Sequence, residues 1–215
     1  MAVGMTTTTI QPCEIDTYIS SNAVNNNYGN VNAFQAGYYN GIIRHGLIKF
    51  DLSSIPSGET CDSAVLSLWI QADLASSDMT FSLHRLLLDW VELQATYNIY
   101  STGNNWPDTG ALGSNCIDMS PMGVSGTISA TTAASENLNT EIQITITDKA
   151  EFKKMYDGTY TNYGWLIKAT EEEEGDLRMW GFHSSEASTS GYRPKLVVTT
   201  HATEGAVYVP RVIMF

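Results

Sequence analysis

The chain has 215 residues, 43% of them hydrophobic and 16% charged, which is enough apolar material to bury one full core. Its 23 acids against 11 bases give a formal charge of −12, and the bases, among them Arg44, Lys49, Arg85, Lys168 and Arg178, stand singly. That balance makes nucleic acid, anionic membranes and acidic polysaccharides poor partners, because each is repelled at long range.

Residues 1–13, MAVGMTTTTIQPC, have no basic region, apolar run or cleavage site of a secretory signal and read as an N-terminal tail. Such a chain is expected either to have lost a signal before this numbering begins or to reach its place without one, as a viral structural protein does. No window reaches the roughly 18 apolar residues of a membrane span. Cys13, Cys61 and Cys116 cannot all pair and lack metal-ligand spacing, so they read as buried thiols. No metal or cofactor is expected.

From residue 14 the dominant period is two. The Asn-rich segment 21–32 reads as a polar loop. In IKFDL, Ile48, Phe50 and Leu52 share a face; in AVLSLWI, Ala64, Leu66, Leu68 and Ile70 do. A further strand is expected over Phe81–Trp90, after the turn signal IPSG (55–58). The stretch DWVELQATYNIYSTGNNW (89–106) then begins where a strand ends and carries turn residues, so it reads as a long ordered loop. The Ser/Thr/Ala-rich segment 125–137 is another loop, followed by a strand with Ile142, Ile144 and Ile146 in line. One helix is expected in DKAEFKKMYDG: Asp148 suits its N-cap, Phe152, Met155 and Tyr156 fall on one face, and Gly158 ends it. Strands GWLIKA, RMWGF and PKLVVTT complete the pattern, with EEEEG (171–175) as a charged turn. The expected class is all-β, a sandwich with one short crossover helix.

Several elements together resemble the DNRLRE-type domains. In order they are IDTYI, IRHGLIKFDLSSIPSGETCDSAVLSLWI, FSLHRLLLDWVELQATYNIYSTGNNWPDTGA, ITITDKAEFKKMYDGTYTNYGWLIKA, WGFHSSE and RPKLVVT. The resemblance covers residues 14–200; the namesake tract is absent, with IRHG standing in its region, and residues 201–215 extend beyond as a C-terminal tail. It implies a jelly-roll β-sandwich of two antiparallel sheets, in a family that includes carbohydrate-binding modules and bacteriophage virion surface components. It also implies that Trp90, Glu92 and Thr96 form a structural clamp on the long loop. Trp180 is grouped with them.

Chemistry is sparse. Four histidines, His45, His84, His183 and His201, accompany no GxSxG, HExxH or phosphate loop, and nothing pairs Glu92, Asp118 or Asp148 by spacing, so no catalytic residue is expected. The loop aromatics Tyr38, Tyr39, Tyr97, Tyr100 and Trp106, with Asn104 and Asn105, are the candidate glycan contacts, and the acidic surface favours a neutral glycan.

The expected role is a non-catalytic structural protein of a bacteriophage virion surface, a head decoration or tail component, forming a homo-oligomer with other virion proteins. The alternative is an extracellular carbohydrate-binding or adhesive module. The tail ends in an apolar run, and Val207, Val209, Val212, Ile213 and Phe215 are its expected assembly contacts.

Overall fold

The structure is a computed structural model and describes residues 4–73, 78–129, 137–172 and 177–202. The five expected assembly contacts of the C-terminal tail lie outside the described residues.

The strands in chain order are β1 (Met5–Ile10), β2 (Ile15–Ser20), β3 (Ala33–Tyr39), β4 (Ile42–Lys49), β5 (Glu59–Asp73), β6 (Phe81–Arg85), β7 (Ile99–Ser101), β8 (Asn104–Asn105), β9 (Gly123–Ser125), β10 (Glu141–Ile146), β11 (Trp165–Ala169), β12 (Leu177–His183) and β13 (Lys195–Ala202). A helix, α1 (Lys149–Tyr156), lies between β10 and β11. Alternation does what the sequence asks of it: Ile142, Ile144 and Ile146 are buried while Glu141, Gln143 and Thr145 face water. The helix also forms as expected. Asp148 caps it by accepting from Glu151 N at 3.1 Å, Phe152, Met155 and Tyr156 are buried, and Gly158 follows its end with φ +82°.

Two strands differ from expectation. Met5–Ile10, inside the segment read as a tail, pairs antiparallel with β13. The strand expected to run to Trp90 ends at Arg85, opposite the start of β11 at Trp165; Leu86 N still donates to the Gly164 carbonyl at 3.0 Å, and Leu87 N then turns to the Cys116 carbonyl at 2.9 Å, which leads the chain off the sheet.

Eleven strands join in one sheet in the order β1-β13-β5-β10-β9-β6-β11-β4-β3-β12, with β2 on β4 and β12 returning to β5. That return closes eight strands, from β5 round to β12, into a barrel-like ring. The all-β class with one helix holds, but the pairing does not divide into two separate sheets. The reason lies in β5, whose 15 residues serve β13 and β10 along residues 59–69 and β12 through residues 70–73.

The inner core fills the ring with Phe34, Phe81 and Phe182, whose ring centroids lie 5.2 to 5.5 Å apart in successive pairs, and with Trp165, Trp180 and the aliphatic faces of β5 and β10. Phe152 of α1 packs on Trp165 with centroids 6.0 Å apart, so the helix plugs one region of this core. A second, smaller core lies outside the ring. Ile19, Leu47 and Leu166 project from the outer faces of β2, β4 and β11 and are covered by Leu86, Trp90, Ala95, Trp106, Ala111 and Ile117. The segment 86–117 is therefore a strap across the outside of the sheet.

Gly37 and Gly41 both have left-handed backbone, at φ +122° and +80°, and differ in surroundings. A Cβ at Gly37 would sit on the carbonyl oxygen of Arg178, whereas one at Gly41 meets nothing within 4 Å. Gly41→Ala should cost about 1 kcal/mol of stability, from conformation alone. Gly37→Ala adds a backbone collision and should cost clearly more, as read by paired denaturant melts.

Candidate functional site

The strap is held by a small number of directed bonds. Trp90, 3% exposed, donates from Nε1 to the Tyr163 carbonyl at 2.8 Å, and Trp106, 2% exposed, donates from Nε1 to the Thr96 carbonyl at 2.9 Å. Thr96 Oγ1 accepts from Asn98 N and Ile99 N, which tightens the turn between the tryptophans. Glu92 Oε1 accepts from Asp16 N at 3.0 Å, and Asn27 Nδ2 donates to the Glu92 and Ala95 carbonyls. Trp90, Glu92 and Thr96 therefore each make a hydrogen bond within the strap or from the strap to its neighbours. Trp180 does not: it is buried in the inner core on β12, with no part in the strap, and its Nε1 has no partner among the described residues.

The loop aromatics also need correction as glycan contacts. Trp106 is buried under Tyr100, centroids 5.5 Å apart, so neither of its faces is presented to solvent. Tyr38 is 8% exposed. Tyr39, Tyr97 and Tyr100 are half-buried, and of these candidates only Asn104 and Asn105 are exposed. Tyr38 and Tyr39 belong to the β3–β4 hairpin and the others to the strap; no ring contact joins the two groups among the described residues. A shared aromatic platform is therefore not assembled.

An open groove forms instead at the end of the strap. Pairing sets Leu47, Leu166 and His84 in one transverse row on the outer face and Lys168, Ser82 and Val124 in the next, while His45 lies opposite Ile19. The strap covers the apolar start of these rows and stops short of their polar end. What remains is a cavity of about 440 Å³, with Ser82, His84, Lys168 and Thr170 on its floor and Leu112, Ile117, Met119, Pro121 and Val124 as its walls. Met119 is 61% exposed and Val124 41%. None of the described residues that line it is acidic, in a chain of net charge −12.

The polar floor is held from behind. His84 Nδ1 lies 2.9 Å from the Asp118 carbonyl and so carries the proton, leaving Nε2 to accept from Ser82 Oγ at 3.0 Å. Burial holds its pKa below the ordinary histidine value, in keeping with this neutral form. Lys168 Nζ reaches Glu172 Oε2 at 3.4 Å, and the same oxygen lies 3.1 Å from Nε2 of the fully buried His45. His45 Nδ1 lies 2.8 Å from the Gly110 carbonyl, tying the strap to β4. Burial acts to raise the Glu172 carboxyl, but His45 and Lys168 together overcome it and hold it below its usual range. These groups can present hydrogen-bond donors and acceptors to a neutral polar ligand, with aliphatic surface alongside.

The remaining titratable candidates lie elsewhere. Asp118 and Asp148 do share a cavity of about 370 Å³, with Arg85, Glu151 and Tyr160, but each is engaged: Asp118 with Arg85 Nε at 2.7 Å and Asp148 as the helix cap. His183 stacks on Tyr192, and His201 pairs with Asp62. Glu92 belongs to the strap. Cys13, Cys61 and Cys116 are buried free thiols, Cys13 donating to Asp16 Oδ2 at 3.1 Å.

With this geometry in place, comparison with known proteins separates the alternatives. The family model for carbohydrate-binding module family 96 matches residues 6–112. The match spans just under half of the chain, from β1 through the strap to Leu112, and includes Ser82 and His84 of the groove. A carbohydrate-binding module is thus the class to which the chain is similar. No curated protein matches the chain.

Sequence reasoning named His84 only as one of four histidines without a catalytic motif, and it did not single out Ser82, Lys168 or Thr170. Their signal was the i, i+2 spacing of polar residues in SLHR and IKAT, which marks an outward face but not which outward faces meet.

Two outcomes follow from the strap. Trp90→Ala should cost about 3 to 5 kcal/mol through lost burial and the cavity left behind, and Glu92→Ala about 1 to 2 kcal/mol, because Asp16 N loses its acceptor; chemical denaturation measures both. Asp16 supplies a pH test. Burial raises its carboxyl from 3.8 to about 7, against the lowering effect of hydrogen bonds from Cys13 and Ser185. Its folded form favours the proton, so its contribution is fully present below pH 3.8 and is lost as pH rises through about 7. Between pH 5 and about 8 the melting temperature of the native chain should therefore fall relative to that of Asp16→Asn.

Proposed function

We propose that this chain is a carbohydrate-binding module that holds a neutral glycan in the groove between the end of the strap and the outer face of β6, β9 and β11. The observation that carries the proposal is the groove itself: four polar side chains on a rigid sheet floor beside an aliphatic wall, in a chain similar to carbohydrate-binding module family 96. Sugar hydroxyls would bond to Ser82, His84, Lys168 and Thr170, and the C–H faces of the ring would lie on Leu112, Met119 and Val124. Among the described residues no tyrosine, tryptophan or phenylalanine lines this groove, so recognition is by hydrogen bonds and aliphatic contact rather than by stacking on such rings. A neutral glycan is the class that a net charge of −12 does not repel.

Binding without turnover is part of the proposal, as is an extracellular or cell-surface setting. No helix among the described residues is long and apolar enough to cross a membrane. The DNRLRE-type jelly-roll resemblance agrees with the proposal in its carbohydrate-binding members. The virion-surface role first expected, with its homo-oligomer and fellow virion proteins, has no supporting observation in the structure or the comparisons.

A glycan array followed by calorimetry on the hits tests the proposal. Val124 points outward into the groove, so Val124→Arg should fill it without unfolding the sheet and should weaken binding at least about tenfold, or about 1.4 kcal/mol, at an unchanged melting temperature. Retained binding in Val124→Arg, with loss in Tyr39→Ala or Tyr97→Ala, would move the site to the loop aromatics. An array with no neutral glycan bound would reject the proposal.

A further inference from the structure

The groove and the smaller cavity beside α1 share a wall, the segment 117–122 into which the strap continues. Its side chains alternate as an extended chain requires: Ile117 and Pro121 line the groove, while Asp118, Ser120 and Met122 line the cavity of about 370 Å³. Met119, 61% exposed, lines both, so it stands as a ridge with a recess on either side. The ends of the wall are fixed. Asp118 N donates to the Arg85 carbonyl at 3.0 Å, Met122 N donates to the Leu83 carbonyl at 2.7 Å, and the Met122 carbonyl accepts from Asp148 N at 3.1 Å. Because the Asp118 carbonyl also meets His84 Nδ1, one bond joins the floor of the groove to the rim of the cavity.

The cavity keeps hydrogen-bonding capacity in reserve. Arg85 donates from Nε to Asp118 Oδ2 and holds its guanidinium carbon 4.0 Å from the Tyr160 ring centroid. That stack fixes the guanidinium plane and leaves both terminal nitrogens without a hydrogen-bond partner among the described residues. Asp118 Oδ1 and Asp148 Oδ2 are likewise unused there, since each carboxylate spends its other oxygen, the first on Arg85 and the second on the N-cap of α1. A fixed fork of donors and two acceptor oxygens therefore belong to one recess.

We infer that this cavity is a second sugar subsite, and that the groove and the cavity together take one neutral oligosaccharide laid across Met119. The inference rests on the glycan reading of the groove and adds a chain length to it. Charge selects the class. Among the described residues the groove is lined by Lys168 and no acid, whereas the cavity sets Asp118, Asp148 and Glu151 against Arg85. An anion suited to the first recess is repelled in the second, and a cation the reverse, whereas sugar hydroxyls both donate and accept and so suit both. Between them Met119 offers the glycosidic link an unbranched, adaptable apolar surface.

Calorimetry with the tightest neutral oligosaccharide found on the array, and with its fragments shortened one sugar at a time, tests the inference. Affinity should rise at least about tenfold at the fragment length that first crosses Met119. Ser120 is exposed, so Ser120→Arg should fill the cavity and pair with its carboxylates at an unchanged melting temperature. It should abolish that rise and leave the affinity of the shorter fragments as it is, whereas Val124→Arg should weaken every fragment. Affinity independent of fragment length, or a rise that survives Ser120→Arg, overturns the inference and leaves the groove reading standing. Unweakened binding in Val124→Arg, or an array with no neutral glycan bound, rejects the groove and the inference with it.

Discussion

The outer apolar patch of Ile19, Leu47 and Leu166 is the constraint on which the rest depends. A closed ring already has its core inside, so an apolar patch on its outside must be covered by something else, and the only cover among the described residues is the strap 86–117. Trp90 and Trp106 are the two residues large enough to do it. Each removes about 150 to 250 Å² from water, worth roughly 4 to 6 kcal/mol as an upper figure. Each also satisfies its indole N–H on a backbone carbonyl, so the burial leaves no orphaned donor. These two bonds set how far the strap reaches across the sheet.

The groove is the remainder of that arrangement. The outer face changes character along the sheet, from Leu47 and Leu166 to His84, while His45 lies opposite Ile19 and Lys168 opposite Ser82. Polar side chains there need partners but not burial, and the strap ends where the apolar patch ends. His45 marks the boundary. Fully buried, it reaches the Gly110 carbonyl on one side and Glu172 on the other, so the last turn of the strap and the end of β11 are fixed to one side chain. Lys168, facing the groove, shares Glu172 with it. A floor whose hydrogen-bonding groups are held from behind by buried partners is preorganised for a ligand, because little ordering remains to be done on binding.

The same logic separates the carboxylates by role. Asp16 and Glu92 stand near the edge of β2, where burial raises both and backbone N–H groups bond to them, so they hold chain segments together. Asp118 and Glu151 instead face bases, Arg85 and Lys154, at the mouth of the smaller cavity. In neither place do two carboxylates stand unengaged across a space that a substrate could enter.

By itself the sequence determined the class of structure, because period two in β5 and β10 and the capped i, i+3, i+4 pattern of α1 are local properties that each residue carries with it. Its turn residues also marked 89–106 as a loop, while the clamp expected of Trp90, Glu92 and Thr96 came from the family resemblance. What it could not carry is pairing. Read alone, MTTTTI is too polar to look like a strand and becomes one only because β13 lies beside it, while LLLDW looks like a strand and leaves the sheet after Leu86, because Leu87 N bonds to the Cys116 carbonyl instead of to the chain beside β11. Trp106 looked like a recognition side chain because sequence gives no sign of which side of a loop faces the sheet. Ser82, His84, Lys168 and Thr170 are as much as 88 residues apart in the chain, and only the register of β6 on β11 brings them to one floor. Side-chain chemistry is local and therefore legible; which faces meet is decided by non-local burial, which only the closed sheet supplies.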